Sequence, residues 1–236
     1  MALLSPATLV SARAAGVMYL AIIGLGLFGE AYVRGALVVS KDAAATASNV
    51  LASEFLWRSS IATDLLMHVL DVPLIVFFYL LLKPVSHPLA LLATVFNVVQ
   101  TCVLALNKLT LLGAFSLLTS NAPETSESAR QALLAIRLHS YGFGIGLIFF
   151  GLSCLVRSYL IVKSKYVPKI VGVLLGVAGI AYLLNSLALL LSPALASALF
   201  PAVLIPSLVG ELVLCLWLLF ANQSALHHAV TRSTSA

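Results

Sequence analysis

An all-α polytopic membrane protein, a bundle of six transmembrane helices, is predicted by three observations. The 236 residues are 61% hydrophobic and only 9% charged, with a mean hydropathy of +1.11. Soluble domains carry about 25% charged residues, so a soluble fold is excluded. The apolar residues fall into six runs, 14–33, 61–82, 89–118, 140–162, 170–191 and 203–221, each close to the ~20 residues that cross the hydrocarbon core. Finally, the basic residues between the runs alternate in density from one side to the other.

The runs extend into predicted helices of 14–33, 58–82, 89–118, 131–162, 168–191 and 203–221, one membrane domain over 1–236. The first lacks a basic leader beyond Arg13 and continues into Glu30, so it reads as a retained span and not a signal peptide. It contains "GLGLFG", Gly24 to Gly29. With no preceding strand and no βαβ unit, this is not a dinucleotide fingerprint. Residues 42–56, "DAAATASNVLASEFL", predict a short surface helix capped by Asp42, with Leu51, Phe55 and Leu56 on one side. In the second span Pro73 frees the carbonyl of Val69, two residues after Asp71, and predicts a kink. The turns "KPVSHP" and "KSKYVPK" are short, whereas "SNAPETSESA" is a longer polar loop. Gly142/Gly146 and Gly172/Gly176 are small-xxx-small pairs that let helices approach. The Ala/Pro-rich stretch 192–206 blurs the start of the sixth span. Cys102, Cys154 and Cys215 all lie within spans and form no Cys-x-x-Cys pair, so they read as packing residues without disulfides.

Charge placement predicts the orientation. With the N-terminus inside, inner segments hold Arg13, Lys83, Arg157, Lys163, Lys165, Lys169 and Arg232, and outer ones hold Arg34, Lys41, Arg58 and Arg130. Asp42, Glu54, Glu124 and Glu127 all fall outside. Tyr32 and Trp57 on one side, and Tyr79, Tyr159 and Tyr166 on the other, suit interfacial belts. Both termini are therefore expected in the cytoplasm. The net charge of +5 follows from this topology, and no segment has the character of a nucleic-acid surface.

The stretch "DLLMHVLDV" carries Asp64, His68 and Asp71 at i, i+4 and i+7, on one face of a helix. Other polar residues inside the spans are Glu30, Asn97, Gln100, Asn107, Lys108, Arg137, His139, Asn185 and Glu211. An ionisable group near the bilayer centre costs at least ~2.5 kcal/mol, so these should face one another. Counted from the outer ends, Glu30, Asp64, His68, Lys108, His139, Asn185 and Glu211 share a depth within the outer half. This predicts a polar pocket there, with Lys108 and Arg137 as the deep cations against Glu30, Asp64, Asp71 and Glu211. His68 and His139 are two imidazoles where zinc usually takes three or four ligands; no metal and no cofactor is predicted.

"ARAAGVMYLAIIGLGLFGEAYVRGALVV", "DAAATASNVLASEFLWRSSIATDLLMHVLDV", "LHSYGFGIGLIFFGLSCLV" and "VPKIVGVLLGVAGIAYLLNS" with "LVGELVLCLWLL" resemble the bacterial membrane family called domain of unknown function 4386, over roughly residues 12 to 222. The resemblance implies a multi-pass protein of a bacterial cytoplasmic (inner) membrane with no established activity. It also implies that Glu30, Asp64, His139, Asn185 and Glu211 occupy the family's polar span positions, while His68 and Lys108 have no place in its pattern.

Three functional classes stay open. The first is a binding or transport protein whose outer-half pocket takes a small polar or lipid-like ligand through Glu30, Asp64, His68, Asp71, Lys108, Arg137, His139, Asn185 and Glu211. A lipid-phase enzyme using paired carboxylates, or a metal held by His68, His139 and Asp64, is the second. A structural or assembly subunit with a self-satisfied polar core is the third. The absence of a nucleophile motif, a phosphate loop and His-rich spacing puts binding or transport first.

Overall fold

The computed structural model describes residues 11–120, 126–199 and 201–221. The middle of the "SNAPETSESA" loop with Glu124, and Arg232, lie outside the described residues. Within them every regular element is helical. Six helices are long and apolar enough to cross a membrane: Ala12–Leu37, Glu54–Leu82, His87–Thr119, Ser126–Lys163, Lys169–Leu191 and Ala202–Phe220.

The first of these is not one regular helix. It comprises α1 (Ala12–Gly26), a π-helical segment (Leu27–Arg34) and a closing turn, α2 (Gly35–Leu37). Gly35 N–H donates to the Glu30 carbonyl, five residues back. The short surface helix α3 spans Ala43–Ala52, and the Asp42 side chain accepts from Ala45 N–H at 2.9 Å. Thr46 ties this helix to the loop before it, its Oγ1 accepting from Val39 N–H at 2.9 Å. The surface helix is shorter than its predicted 42–56. Ser53 N–H turns back to Val50 O at 3.2 Å, and Trp57 N–H already bonds Ser53 O at 2.9 Å, opening the next helix. Phe55 and Leu56 therefore belong to α4 (Glu54–Leu82), where Phe55 is 86% exposed.

Helix α4 is continuous through Pro73. It is followed by α5 (His87–Thr119), α6 (Ser126–Lys163), α7 (Lys169–Leu191), α8 (Pro193–Leu199) and α9 (Ile205–Phe220). Helices α4 and α6 begin four or five residues before the predicted spans. Those first turns are held by exposed ion pairs, Glu54–Arg58 at 2.9 Å and Glu127–Arg130 at 2.8 Å. Such turns favour acidic residues at helix starts and i, i+3/i+4 pairing, and hydropathy is blind to them.

The described residues form two compact units: 21–69 with 102–143, and 70–101 with those up to 20 and from 144 onward. In the first, Val33, Val50, Trp57, Ile61, Leu111, Ala114 and Ile136 make a buried core. Trp57 was expected in an interfacial belt, yet it is 1% exposed and donates its indole N–H to the Leu111 carbonyl at 3.4 Å. The bond satisfies the indole N–H and a peptide oxygen together, so the ring can pack inward. Trp57→Ala should cost about 3–5 kcal/mol of stability in detergent thermal melts, and Trp57→Phe far less.

The second unit is centred on α7 and α9. Leu175 and Ala178 on α7 and Leu214 and Leu218 on α9 are buried, with Tyr19 set edge-on to Phe78 at 6.1 Å between ring centres. Gly172 and Gly176 lie against Ser158, so α7 approaches α6 at the small-residue pair. In the 163–169 turn Tyr166 donates its hydroxyl to the Leu81 carbonyl at 2.6 Å. Burial pushes its phenol up to about 12. The resulting stability is fully present below the ordinary tyrosine pKa of about 10 and fades as pH rises through 12. Tyr166→Phe should cost about 0.5–1.5 kcal/mol at neutral pH, read from the melting midpoint. Cys102, Cys154 and Cys215 are free thiols.

Candidate functional site

The polar span residues divide between the two units. In the unit of residues 21–69 and 102–143, Asp64 is 1% exposed and its Oδ2 lies 2.9 Å from both Arg34 Nη1 and Lys108 Nζ. Arg34 Nε also reaches Glu30 at 2.8 Å. The result is a chain of alternating charge, Glu30–Arg34–Asp64–Lys108, with two carboxylates and two cations. Glu30 is the half-exposed end, at 48%; the other three are buried. Breaking one partner in such a buried network leaves an unpaired charge, which is what makes these pairs stringent.

Arg34 had been read as an outer flanking charge. The π-helical segment corrects this, because its wider turn carries Arg34 back over Glu30 and onto Asp64; π-turns recur at functional sites. Gly29 makes room for the pair. A Cβ there would collide with Asp64 Oδ1 and come within 2.9 Å of Arg34 Nη2. Part of the sequence "GLGLFG" thus has a use, as the surface against which an ion pair is packed.

Two histidines complete the cluster. Asn107 donates Nδ2–H to the His139 carbonyl at 2.8 Å and lies 3.0 Å from His139 Nδ1. Taking Nδ1 as the acceptor assigns the ring proton to Nε2. His68 and His139 are 4% and 1% exposed, and both feel the charges of Lys108 and Asp64. Nε2 of each, and Oδ1 of Asp64, have no hydrogen-bond partner among the described residues. Buried polar atoms are rarely left so. Arg137, expected as a deep cation, is exposed and donates Nη2–H to the Ser40 carbonyl at 2.7 Å. Its place on α6 points it at the loop before α3, two residues short of the buried His139.

Asp71, expected with this set, belongs to the other unit. Its Oδ2 accepts from Asn97 Nδ2 at 3.0 Å and from the Thr101 hydroxyl. Asn97 also donates to Gln100 Oε1 at 2.8 Å. Glu211, 8% exposed, accepts from the Tyr182 hydroxyl, and Asn185 is half-buried on α7. Glu30, Asp64, His68, Lys108 and His139 thus belong to one unit, and Asp71, Asn185 and Glu211 to the other. In the latter α9 is registered on α7 by Ser207 bonding Ala178 O at 3.3 Å and by Tyr182 meeting Glu211 one helical turn further on. Arg157, read as an inner-loop charge, is 5% exposed with its guanidinium 4.7 Å over the Phe78 ring. Among the described residues no three His, Cys, Asp or Glu side chains gather as metal ligands.

Large apolar side chains are left uncovered along the spans, among them Val69 at 65%, Leu106 at 67%, Leu109 at 63% and Ile180 at 51%. Long apolar helices with apolar outer faces and buried charges define a multi-pass α-helical membrane protein in a lipid bilayer. The chain belongs to the family described as Domain of unknown function (DUF4386), whose model matches residues 14–221. It is similar to an uncharacterized protein of Archaeoglobus fulgidus, 29% identical over 130 residues. That match covers 54% of this chain and 65% of the relative. No solved structure matches the chain.

Proposed function

We propose that the protein binds, and as a transporter moves, a small polar ligand at the cluster of Asp64, Lys108, His68 and His139, with Glu30 and Arg34 at its edge. The observation that carries this is three buried atoms without a hydrogen-bond partner among the described residues, Asp64 Oδ1 and Nε2 of His68 and His139. A purely structural ion-pair tie has no need of two unpartnered imidazole nitrogens. The paired charges also balance, so a neutral or zwitterionic ligand fits better than a strongly cationic one. A self-satisfied polar core is the competing reading, supported by the pairs at 2.9 Å.

Thermal melts of purified protein against a panel of amino acids, small polyols and choline test the reading. We expect one or more zwitterions or polyols to raise Tm saturably, and the shift to vanish in His68→Ala and His139→Ala. If no compound shifts Tm, or if the shift survives both substitutions, the ligand reading of this cluster fails. The same proposal places the chain in the cytoplasmic membrane with both termini inside. A membrane-impermeant maleimide should label Lys41→Cys in intact cells and leave Lys165→Cys unlabelled, in a Cys102→Ser background; the reverse pattern inverts the topology.

A further inference from the structure

The second unit holds a polar group that the proposed ligand site does not use. Asp71 on α4 meets Asn97 and Thr101, which both reach Gln100, within one and a bit turns of α5. Among the described residues no Lys, Arg or His nitrogen forms an ion pair with Asp71 or Glu211, although Arg157 acts on both through space. At span depth this unit sets two carboxylates against one guanidinium. With both ionised, one negative charge would be left over, and a carboxylate so placed in hydrocarbon takes up a proton or a cation.

Both carboxylates accept from a hydroxyl, Glu211 from Tyr182 and Asp71 from Thr101. Beside Asp71 there is a further side-chain oxygen, Gln100 Oε1, 3.4 Å from Thr101 Oγ1. Asn97 is 0% exposed and stands in the middle, with Nδ2 3.0 Å from Asp71 Oδ2 and 2.8 Å from Gln100 Oε1. Its Oδ1 has no hydrogen-bond partner among the described residues. A half-turn of that amide exchanges oxygen for nitrogen and directs Oδ1 at the same two oxygens. Once the Thr101 hydroxyl turns its proton away, Asp71 Oδ2, Gln100 Oε1, Asn97 Oδ1 and Thr101 Oγ1 converge as acceptors, an arrangement that a cation stabilises.

We propose that Asp71, Asn97, Gln100 and Thr101 form a site for a monovalent alkali cation, with the Asn97 amide donating when the site is empty and ligating through Oδ1 when it is filled. Hard oxygen ligands suit such ions. A single charge matches the single carboxylate in excess, whereas a divalent ion would leave a buried positive charge. This inference is independent of the ligand site at Asp64.

The test compares melts of the full-length protein in detergent with NaCl, KCl or choline chloride at equal ionic strength. We expect NaCl or KCl to raise Tm saturably by about 3 °C or more over choline. The midpoint concentration should rise at least tenfold in Thr101→Ala, and the response should vanish in Asp71→Asn. Glu211→Gln, which removes a charge but no oxygen ligand, should raise the midpoint without abolishing the response. Equal melts in all three salts overturn the proposal, and a melt that instead tracks pH assigns the excess charge to a proton. Should Asp71→Asn fail to fold, an unchanged midpoint in Thr101→Ala still overturns it.

Discussion

Asp64→Ala should destabilise the protein by about 3–5 kcal/mol, through the buried charges of the unit of residues 21–69 and 102–143. The carboxylate is the shared partner of Arg34 and Lys108, each at 2.9 Å, and all three are buried. Removing it leaves the buried Lys108 without an ion-pair partner among the described residues and takes one of two from Arg34. Arg34 keeps Glu30 at 2.8 Å, so Lys108 bears most of the loss. Lys108→Met in the Asp64→Leu background should recover much of it, because a buried pair replaced by apolar groups of similar size is often neutral. The measurement is a double-mutant cycle on Tm in detergent. A coupling near zero between Asp64 and Lys108, or a neutral Asp64→Leu alone, would show that this pair does not hold the cluster together.

Gly210→Leu should have an effect of the same order in the other unit, seen as loss of folded protein on size-exclusion chromatography. A Cβ at Gly210 would stand 2.5 Å from the Leu174 carbonyl and 2.9 Å from the Ala178 Cβ. Backbone cannot give way as a flexible side chain can, so α9 must move off α7. That movement would also separate Tyr182 from Glu211 and Ser207 from Ala178. Small residues at such crossings are how spans approach closely where no hydrophobic force drives them together. Gly210→Ala should be milder and still measurable; a wild-type melt for it would mean that the helices are not in close contact there.

Helix number and helix class were legible because hydropathy over twenty residues reports what the bilayer demands. The pairing of Asp64 with Lys108 could also be reached, by charge and matched depth. Rotation about the helix axis could not. Depth counting put Arg137 inside and Arg34 outside, and the structure has them the other way round. The reason is local: a π-turn shifts the facing of everything after it, and no propensity marks Leu27–Arg34 as one. The i, i+4 spacing of Glu30 and Arg34 was the available signal. Arg157 was missed because it stands six residues from the end of α6, where a cation reads as a flanking charge; its stacking on Phe78 depends on a contact between α4 and α6. Asp64 and Asp71, seven residues apart on one helix, have different α5 partners, Lys108 for the first and Asn97 with Thr101 for the second, and spacing alone does not tell which neighbours α5 presents at each level.

The π-helical segment also sets a rule for the length of the chain. Its five-residue closure at Gly35 holds one residue more than an α-turn. Deleting a single residue between Leu27 and Arg34 would let the backbone relax into ordinary α-helix while keeping the span long enough for the bilayer. Insertion into the membrane would be unaffected, and the guanidinium would swing away from Asp64. A one-residue gap at this place in a relative therefore separates proteins that share a membrane topology but not the buried charge chain.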